Sequence, residues 1–349
     1  MISFKPGIEQ KKTQTSRLAM AYLEAGADGG VPVVLVHGNV SCSWFYQDLM
    51  LDLAQAGYKV YAPDMRGFGD TQTLPLDATR GLGEFADDLH SWVEALNLPK
   101  FHLSGWSMGG NISLEYASDH PDKLLSLVLE AAASPSGFGG VKADGTPSYA
   151  DFAGSGGGAA SPEFVERLAN GDTSADSPNS PRNVMNTFYF KPPFKVDQET
   201  EDTYVAAMLS TKTGTANYPG DLTASPNWPN IAPGTTGVLN ALSPKYQNQG
   251  RFANIEPKPP VLWIRGDSDQ IISDSSFFDL GTLGQIGAVP GYPGVEVFPP
   301  QPMVAQLRQL LEQYGGEYQE VVLENCGHSP HVEKAGEFSQ LLKNFFKGK

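Results

Sequence analysis

Phe101-His102-Leu103-Ser104-Gly105-Trp106-Ser107-Met108-Gly109-Gly110-Asn111 is the stretch on which the reading of this chain turns. A short apolar run enters Gly105-x-Ser107-x-Gly109, and a helix pattern follows from Asn111 to His120. In a chain with 38 glycines the pentapeptide alone is weak, because chance supplies it readily; its place between strand and helix carries the weight. A serine in that tight turn is held at positive φ, so its Oγ stands clear at the strand's end. The positions two before and two after it are pressed together, and only small residues fit there. Gly105 and Gly109 supply them, and Gly110 lets the helix approach the sheet. An ordinary strand-to-helix turn is the plainer reading of the same residues.

Outward from this turn the chain alternates strand and helix. Val31–Val36 is a continuous apolar run, suited to a strand buried on both faces. Ser43 to Gly57 reads as a helix, Lys59–Ala62 as a strand, and residues 82–96 as a helix with one apolar face. Leu124–Leu129, Val261–Ile264 and Glu320–Leu323 are further strands, and Phe338, Leu341, Leu342, Phe345 and Phe346 mark a final amphipathic helix. This rhythm predicts parallel pairing with right-handed crossovers. Residues 134–250 are different, rich in Gly, Pro, Ser and Asn, with two short helices after Ser161-Pro162 and after Asp197. The expected organisation is a core of residues 1–133 and 251–349 with residues 134–250 inserted as a loop-rich cap. Phe188-Tyr189-Phe190 and Phe194 argue against a disordered linker. A second Gly/Pro-rich insertion spans 273–301, before a helix opened by Pro302.

A serine is a poor nucleophile unless a base lies within hydrogen-bond reach. Of the six histidines, His90, His102 and His120 sit within or at the end of predicted elements and suit structural roles. His328 lies in Cys326-Gly327-His328-Ser329-Pro330, a rigid loop past a strand's C-terminal end, the edge where open parallel sheets bind ligands. It is favoured over His331. The base needs an acid to fix its tautomer. Asp269 in Gly266-Asp267-Ser268-Asp269 is favoured, with Asp267 and Glu130 as alternatives. The order Ser, acid, His matches one common arrangement. Backbone N–H groups must hold the oxyanion: Met108, after the serine, and Asn39 in His37-Gly38-Asn39-Val40, with Val40 as the fallback.

The bulk numbers narrow the partners. The 349 residues are 40% apolar and carry a formal charge of −15. Such an acidic surface disfavours nucleic acid and anionic membranes as partners. No apolar run approaches the roughly 20 residues of a membrane helix, and Met1–Gly7 shows no leader pattern, so a cytoplasmic location is expected. Cys42 and Cys326 form no disulfide framework or zinc pattern. Each lies beside a candidate site segment, which leaves open whether they meet.

With these residues in view, the chain resembles the α/β-hydrolase superfamily. The resemblance rests on His37-Gly38-Asn39, Asp64-Met65-Arg66-Gly67-Phe68-Gly69, the turn at Ser107, Gly266-x-x-Asp269 and Gly327-His328, in that order. It implies an α/β fold with an eight-stranded, mostly parallel sheet and a cap over the strand C-termini. It also implies Ser107 as nucleophile, His328 as base and Asp269 as acid, with no cofactor and no metal. The related haloalkane dehalogenases and epoxide hydrolases use an aspartate nucleophile, against which Ser107 speaks. The expected activity is cleavage of an ester, lactone or amide in a small-molecule substrate with an apolar acyl group, with Trp106, Phe188 and Phe190 as candidate substrate contacts. The cap aromatics are equally readable as the cap's own small core. Perhydrolase, haloperoxidase or lyase chemistry, and a ligand-binding receptor role, are the competing expectations.

Overall fold

The computed structural model describes residues 4–349. Eight strands form one sheet: β1 (Ile8–Gln14), β2 (Ala19–Ala25), β3 (Val31–Val36), β4 (Tyr58–Pro63), β5 (Phe101–Trp106), β6 (Leu124–Glu130), β7 (Val261–Gly266) and β8 (Tyr318–Leu323). Their order is β1-β2-β4-β3-β5-β6-β7-β8. β1 and β2 pair antiparallel, as do β2 and β4, and every pair from β4 to β8 is parallel. The central strands are the continuous apolar runs, and β5 is buried along its whole length.

The N-terminal hairpin has no counterpart in the pattern of the sequence. β1 is an edge strand exposed along most of its length, so it needs no apolar run. In β2, Glu24 interrupts the apolar pattern and is buried because Lys11 and Lys59 both pair with it.

The crossovers are α1 (Gln47–Gln55), α2 (Gly83–Ala95) and α3 (Met108–Asp119). From β3 the chain moves one way to β4, then back past β3 to β5. Right-handed crossovers in opposite directions place α1 and α2 on opposite faces. α2 packs beside α3, and α1 beside the C-terminal helix Ala335–Phe346. The direction of travel reverses at β3, so a crevice opens at the C-terminal ends of β3 and β5, where ligands bind in folds of this kind.

Between β6 and β7 the chain makes a long excursion. It carries α4 (Pro162–Ala169), a helical stretch from Pro181 to Tyr189, and α5 (Gln198–Leu209). Ser161 Oγ accepts from the Phe164 N–H, and the Asp197 carboxylate from that of Thr200, so both expected N-caps are in place. A second excursion, between β7 and α7 (Met303–Tyr314), holds the short helix α6 (Leu280–Gln285). Trp228 joins the two excursions. It packs edge-on against Tyr292 and Phe298 and donates its indole N–H to the Pro290 carbonyl at 2.9 Å. Uncharged polar side chains stitch both excursions to the core: Asn111 donates to Gln249, Ser134 to Gln306, and Gln301 to Gln306. Among the described residues no helix is long and apolar enough to cross a membrane.

Candidate active site

Ser107 ends β5 and caps α3 with φ 55° and ψ −123°, the strained turn expected of it. Two hydrogen bonds hold it there: its N–H donates to the Glu130 carbonyl at 2.8 Å, and its carbonyl accepts from Gly110 at 2.9 Å. The small flanking residues are obligatory. A Cβ at Gly105 would lie 2.1 Å from the Gly109 carbonyl oxygen, and one at Gly109 would lie 2.1 Å from that of Val36.

His328 stands in the loop after β8, and its Nδ1 is 2.7 Å from Asp269 Oδ2. Both side chains are almost wholly buried. The other Asp269 oxygen accepts from the N–H groups of Ile271 and Ile272 at 2.8 and 2.9 Å. These contacts aim the carboxylate at the imidazole, and with Nδ1 donating to it Nε2 is the imidazole's other, unengaged nitrogen. Among the described residues no hydrogen bond joins the Ser107 hydroxyl to the imidazole, but both side chains line one cavity. The Trp106 indole N–H donates to the His328 carbonyl at 2.7 Å, tying the elbow to the histidine loop.

The alternative groups are engaged elsewhere. Glu130 accepts from His331 Nδ1 at 2.7 Å and from the His331 backbone N–H at 2.8 Å, in a pair buried beneath Trp106. Asp267 accepts from Ser268 Oγ and from the Cys326 N–H. His37 accepts from the Met65 N–H at Nε2 and donates from Nδ1 to the Gly38 carbonyl. Burial lowers its pKa to about 4, so it stays neutral and braces the loop after β3. Below it Asp64 accepts from the N–H groups of Ser43 and Asp70, and Arg66 grips Asp88 with two nitrogens. The Asp64–Gly69 motif is therefore scaffolding for the His37–Val40 loop.

Asn39, Val40 and Met108 all border the cavity. Met108 is the first residue of α3, so its N–H has no partner within the helix. The cavity measures about 330 Å³. Its walls are apolar, with Trp106, Phe138, Phe164, Phe188, Ile271 and Ile272 among them, and no Lys, Arg, Asp or Glu borders it among the described residues. Phe277 and Phe278, 45% and 39% exposed, stand at its edge, and Phe278 packs edge-on against Phe188.

Two of the three candidate contacts, Trp106 and Phe188, reach the cavity; Phe190 does not. The helical stretch ends at Tyr189, and Phe190 turns extended at φ −117°, which sends its ring into the insertion against Phe194 and Tyr204. Tyr189 borders the cavity instead. Tyr189 is one of the cap aromatics that suit an apolar acyl group in the sequence, whereas Phe277 and Phe278 carry no signal there, because irregular loops have no periodicity to show which side chain faces inward. Cys42 and Cys326 are separate free thiols: Cys42 sits by Asp64 and Ser210, Cys326 by Glu333. Among the described residues no cluster of three or more His, Cys, Asp or Glu is placed to hold a metal ion.

The comparisons with known proteins agree with this architecture. A family model described as alpha/beta hydrolase fold matches residues 31–277, and the chain belongs to that family. It is 32% identical over 132 residues to a haloalkane dehalogenase of Mycobacterium marinum (strain ATCC BAA-535 / M), covering 38% of this chain and 44% of the relative. It is also 32% identical over 130 residues to the dihydrolipoyllysine-residue acetyltransferase component of an acetoin cleaving system from Pseudomonas putida, covering 36% and 34%. The chain thus spans less than half the length of these curated relatives. Among solved structures, an esterase from Exiguobacterium antarcticum superimposes with a TM-score of 0.63 at 17% identity, over 97% of this chain and all of that one, a likeness of fold.

Proposed function

We propose that the protein hydrolyses uncharged carboxylic esters with apolar acyl groups through an acyl-enzyme on Ser107. The observation that carries this reading is the hydrogen-bonded pair His328–Asp269 on the same apolar cavity as a serine held at positive φ.

In the proposed cycle His328 Nε2 takes the Ser107 proton as Oγ attacks the ester carbonyl. The tetrahedral oxyanion is held by the Met108 N–H and by that of Asn39 or Val40. Asp269 stabilises the imidazolium without taking its proton. Collapse of the intermediate breaks the bond to the alcohol oxygen, which leaves with the proton from Nε2. Water, deprotonated by the same nitrogen, attacks the acyl-enzyme, and collapse returns the proton to Ser107 and releases the acid. Residues 134–250 act as a cap over this site, with Phe188 on the acyl group and Trp106 behind the nucleophile. The uncharged lining selects the substrate, because an unpaired carboxylate buried there costs several kcal/mol.

The test is a chain-length panel of p-nitrophenyl esters, with an acyl group ending in a carboxylate as the charged comparison. Wild type turns over the neutral esters, with kcat/KM at least about 100-fold lower for the charged one. Ser107→Ala, folded by circular dichroism, loses at least about 10⁴-fold in kcat. Undiminished turnover in Ser107→Ala would sink the mechanism; equal turnover of the charged ester would sink the substrate class.

A further inference from the structure

One side chain of the 134–250 insertion reaches into the loop expected to hold the oxyanion. The Tyr189 hydroxyl lies 3.2 Å from the Asn39 carbonyl oxygen and 3.1 Å from that of Val40, so its single proton is shared between them. Its ring borders the cavity and packs edge-on against Trp106 and against His328, with centroids 5.7 and 6.2 Å apart. It is a buried phenol whose ionisation is pushed well above the usual range, so it remains a donor throughout the working pH range.

What this contact does follows from peptide geometry. In a trans peptide the C=O and the next residue's N–H point in opposite directions, so holding the carbonyl aims the N–H. Two peptide planes meet at Asn39. The plane before it is held through the Gly38 carbonyl, which accepts from His37 Nδ1 and Ser41 Oγ, both at 2.8 Å; this aims the Asn39 N–H. The plane after it is held through the Asn39 carbonyl, which accepts from Tyr189; this aims the Val40 N–H. Val40 sits at φ 47°, a strained conformation for a β-branched residue that needs outside support. His37 and Ser41 belong to the loop itself. Tyr189 is the brace that comes from the insertion. Its main chain is anchored two residues on, where the Lys191 N–H donates to Glu333 at 2.7 Å. The same carboxylate accepts from the N–H groups of Gly327 and Ser329, on either side of His328, at 2.9 and 3.3 Å.

We infer that Tyr189 is a positioning residue for the oxyanion loop: its hydroxyl holds the Asn39 and Val40 carbonyls so that the loop's N–H groups face the oxygen of the carbonyl attacked by Ser107. The inference rests on the ester-hydrolase reading above. It adds that seating of the insertion and assembly of the oxyanion site are one event.

The test is Tyr189→Phe, which keeps the ring and removes only the donor. Wild type and Ser107→Ala are run beside it on the preferred p-nitrophenyl ester, and thermal melting confirms that each variant is folded. Expected for Tyr189→Phe is a fall in kcat of about tenfold with KM within twofold, short of the 10²–10³-fold that outright loss of an oxyanion donor costs. Affinity for an alkyl boronic acid, whose adduct with the serine mimics the tetrahedral oxyanion, falls by the same factor. Affinity for a neutral ketone-free analogue of the acyl chain does not change. An unchanged kcat, or a loss confined to KM, overturns the inference. Wild type that is no faster than Ser107→Ala is a different result, because it removes the ester-hydrolase reading itself.

Discussion

Asp269 shows most clearly how much depends on single atoms. One of its oxygens is committed to two backbone N–H groups and the other to the imidazole. Asp269→Asn keeps the shape but offers Nδ1 an amide, which favours the tautomer with its proton on the wrong nitrogen. A fall in kcat of about 10⁴-fold with little change in KM is expected on the preferred ester, read by steady-state kinetics. At this scale the sequence was informative wherever sterics leave one choice. Gly105 and Gly109 mark the elbow because no other residue clears the backbone oxygens 2.1 Å away. Around His328, Pro330 stiffens the loop, and Gly327 is fixed by a related steric reason, since a Cβ there would lie 2.7 Å from the Lys191 backbone nitrogen. Between Asp269, Asp267 and Glu130 the sequence offered only order and spacing. The distances distinguish them, since Glu130 is spent on His331 and Asp267 on the Cys326 loop. Phe190 shows where such reading stops. It and Tyr189 are neighbours of similar size, and only the end of a helical turn decides which one meets the cavity.

Among the elements, the central strands were legible because burial on both faces demands unbroken apolar runs. β1 was not, because an edge strand facing water is under no such demand. Two helices of the first excursion, α4 and α5, announced themselves through caps, Ser161 and Asp197, whereas the helical stretch from Pro181 to Tyr189 was not expected. In the second excursion Asp279 caps α6 by accepting from the Thr282 N–H, but a cap marks a helix start and not that the two phenylalanines before it form the mouth of the cavity. That helix starts two residues past Phe277 and Phe278, and Phe278 closes against Phe188 of the first excursion. On the proposed reading, this contact between excursions covers the far end of the acyl chain. Phe278→Ala removes part of that cover, so KM for the longest neutral ester in the panel is expected to rise about fivefold, while kcat and the constants for acetate esters stay within twofold. The comparison across chain lengths checks it.

For the whole molecule, acid stability is the property most directly set by buried groups. His37 and His102 are held at about 4 by burial, against 6.5 when exposed. Between pH 6.5 and 4 the unfolded chain therefore binds protons at both sites that the folded protein refuses, and stability falls as pH falls, each site contributing on the order of 3 kcal/mol by pH 4. Asp64 opposes them. Burial raises it to about 6, so between pH 6 and 3.8 the folded protein holds a proton that the unfolded chain has released, and stability gains as pH falls. His102→Asn, which can retain the bond to Ser126 Oγ, is expected to flatten the decline of Tm between pH 6.5 and 4, measured by calorimetry at matched ionic strength. The uncharged cavity has a consequence of another kind, for the direction of traffic. On the proposed reaction a neutral ester enters and a carboxylic acid forms inside walls that offer a carboxylate no cation. At neutral pH the acid ionises, and the solvation it gains outside exceeds anything the apolar walls return. The same surface that welcomes the substrate thus ejects the product, so accumulated acid inhibits weakly and resynthesis of the ester is starved of its starting material.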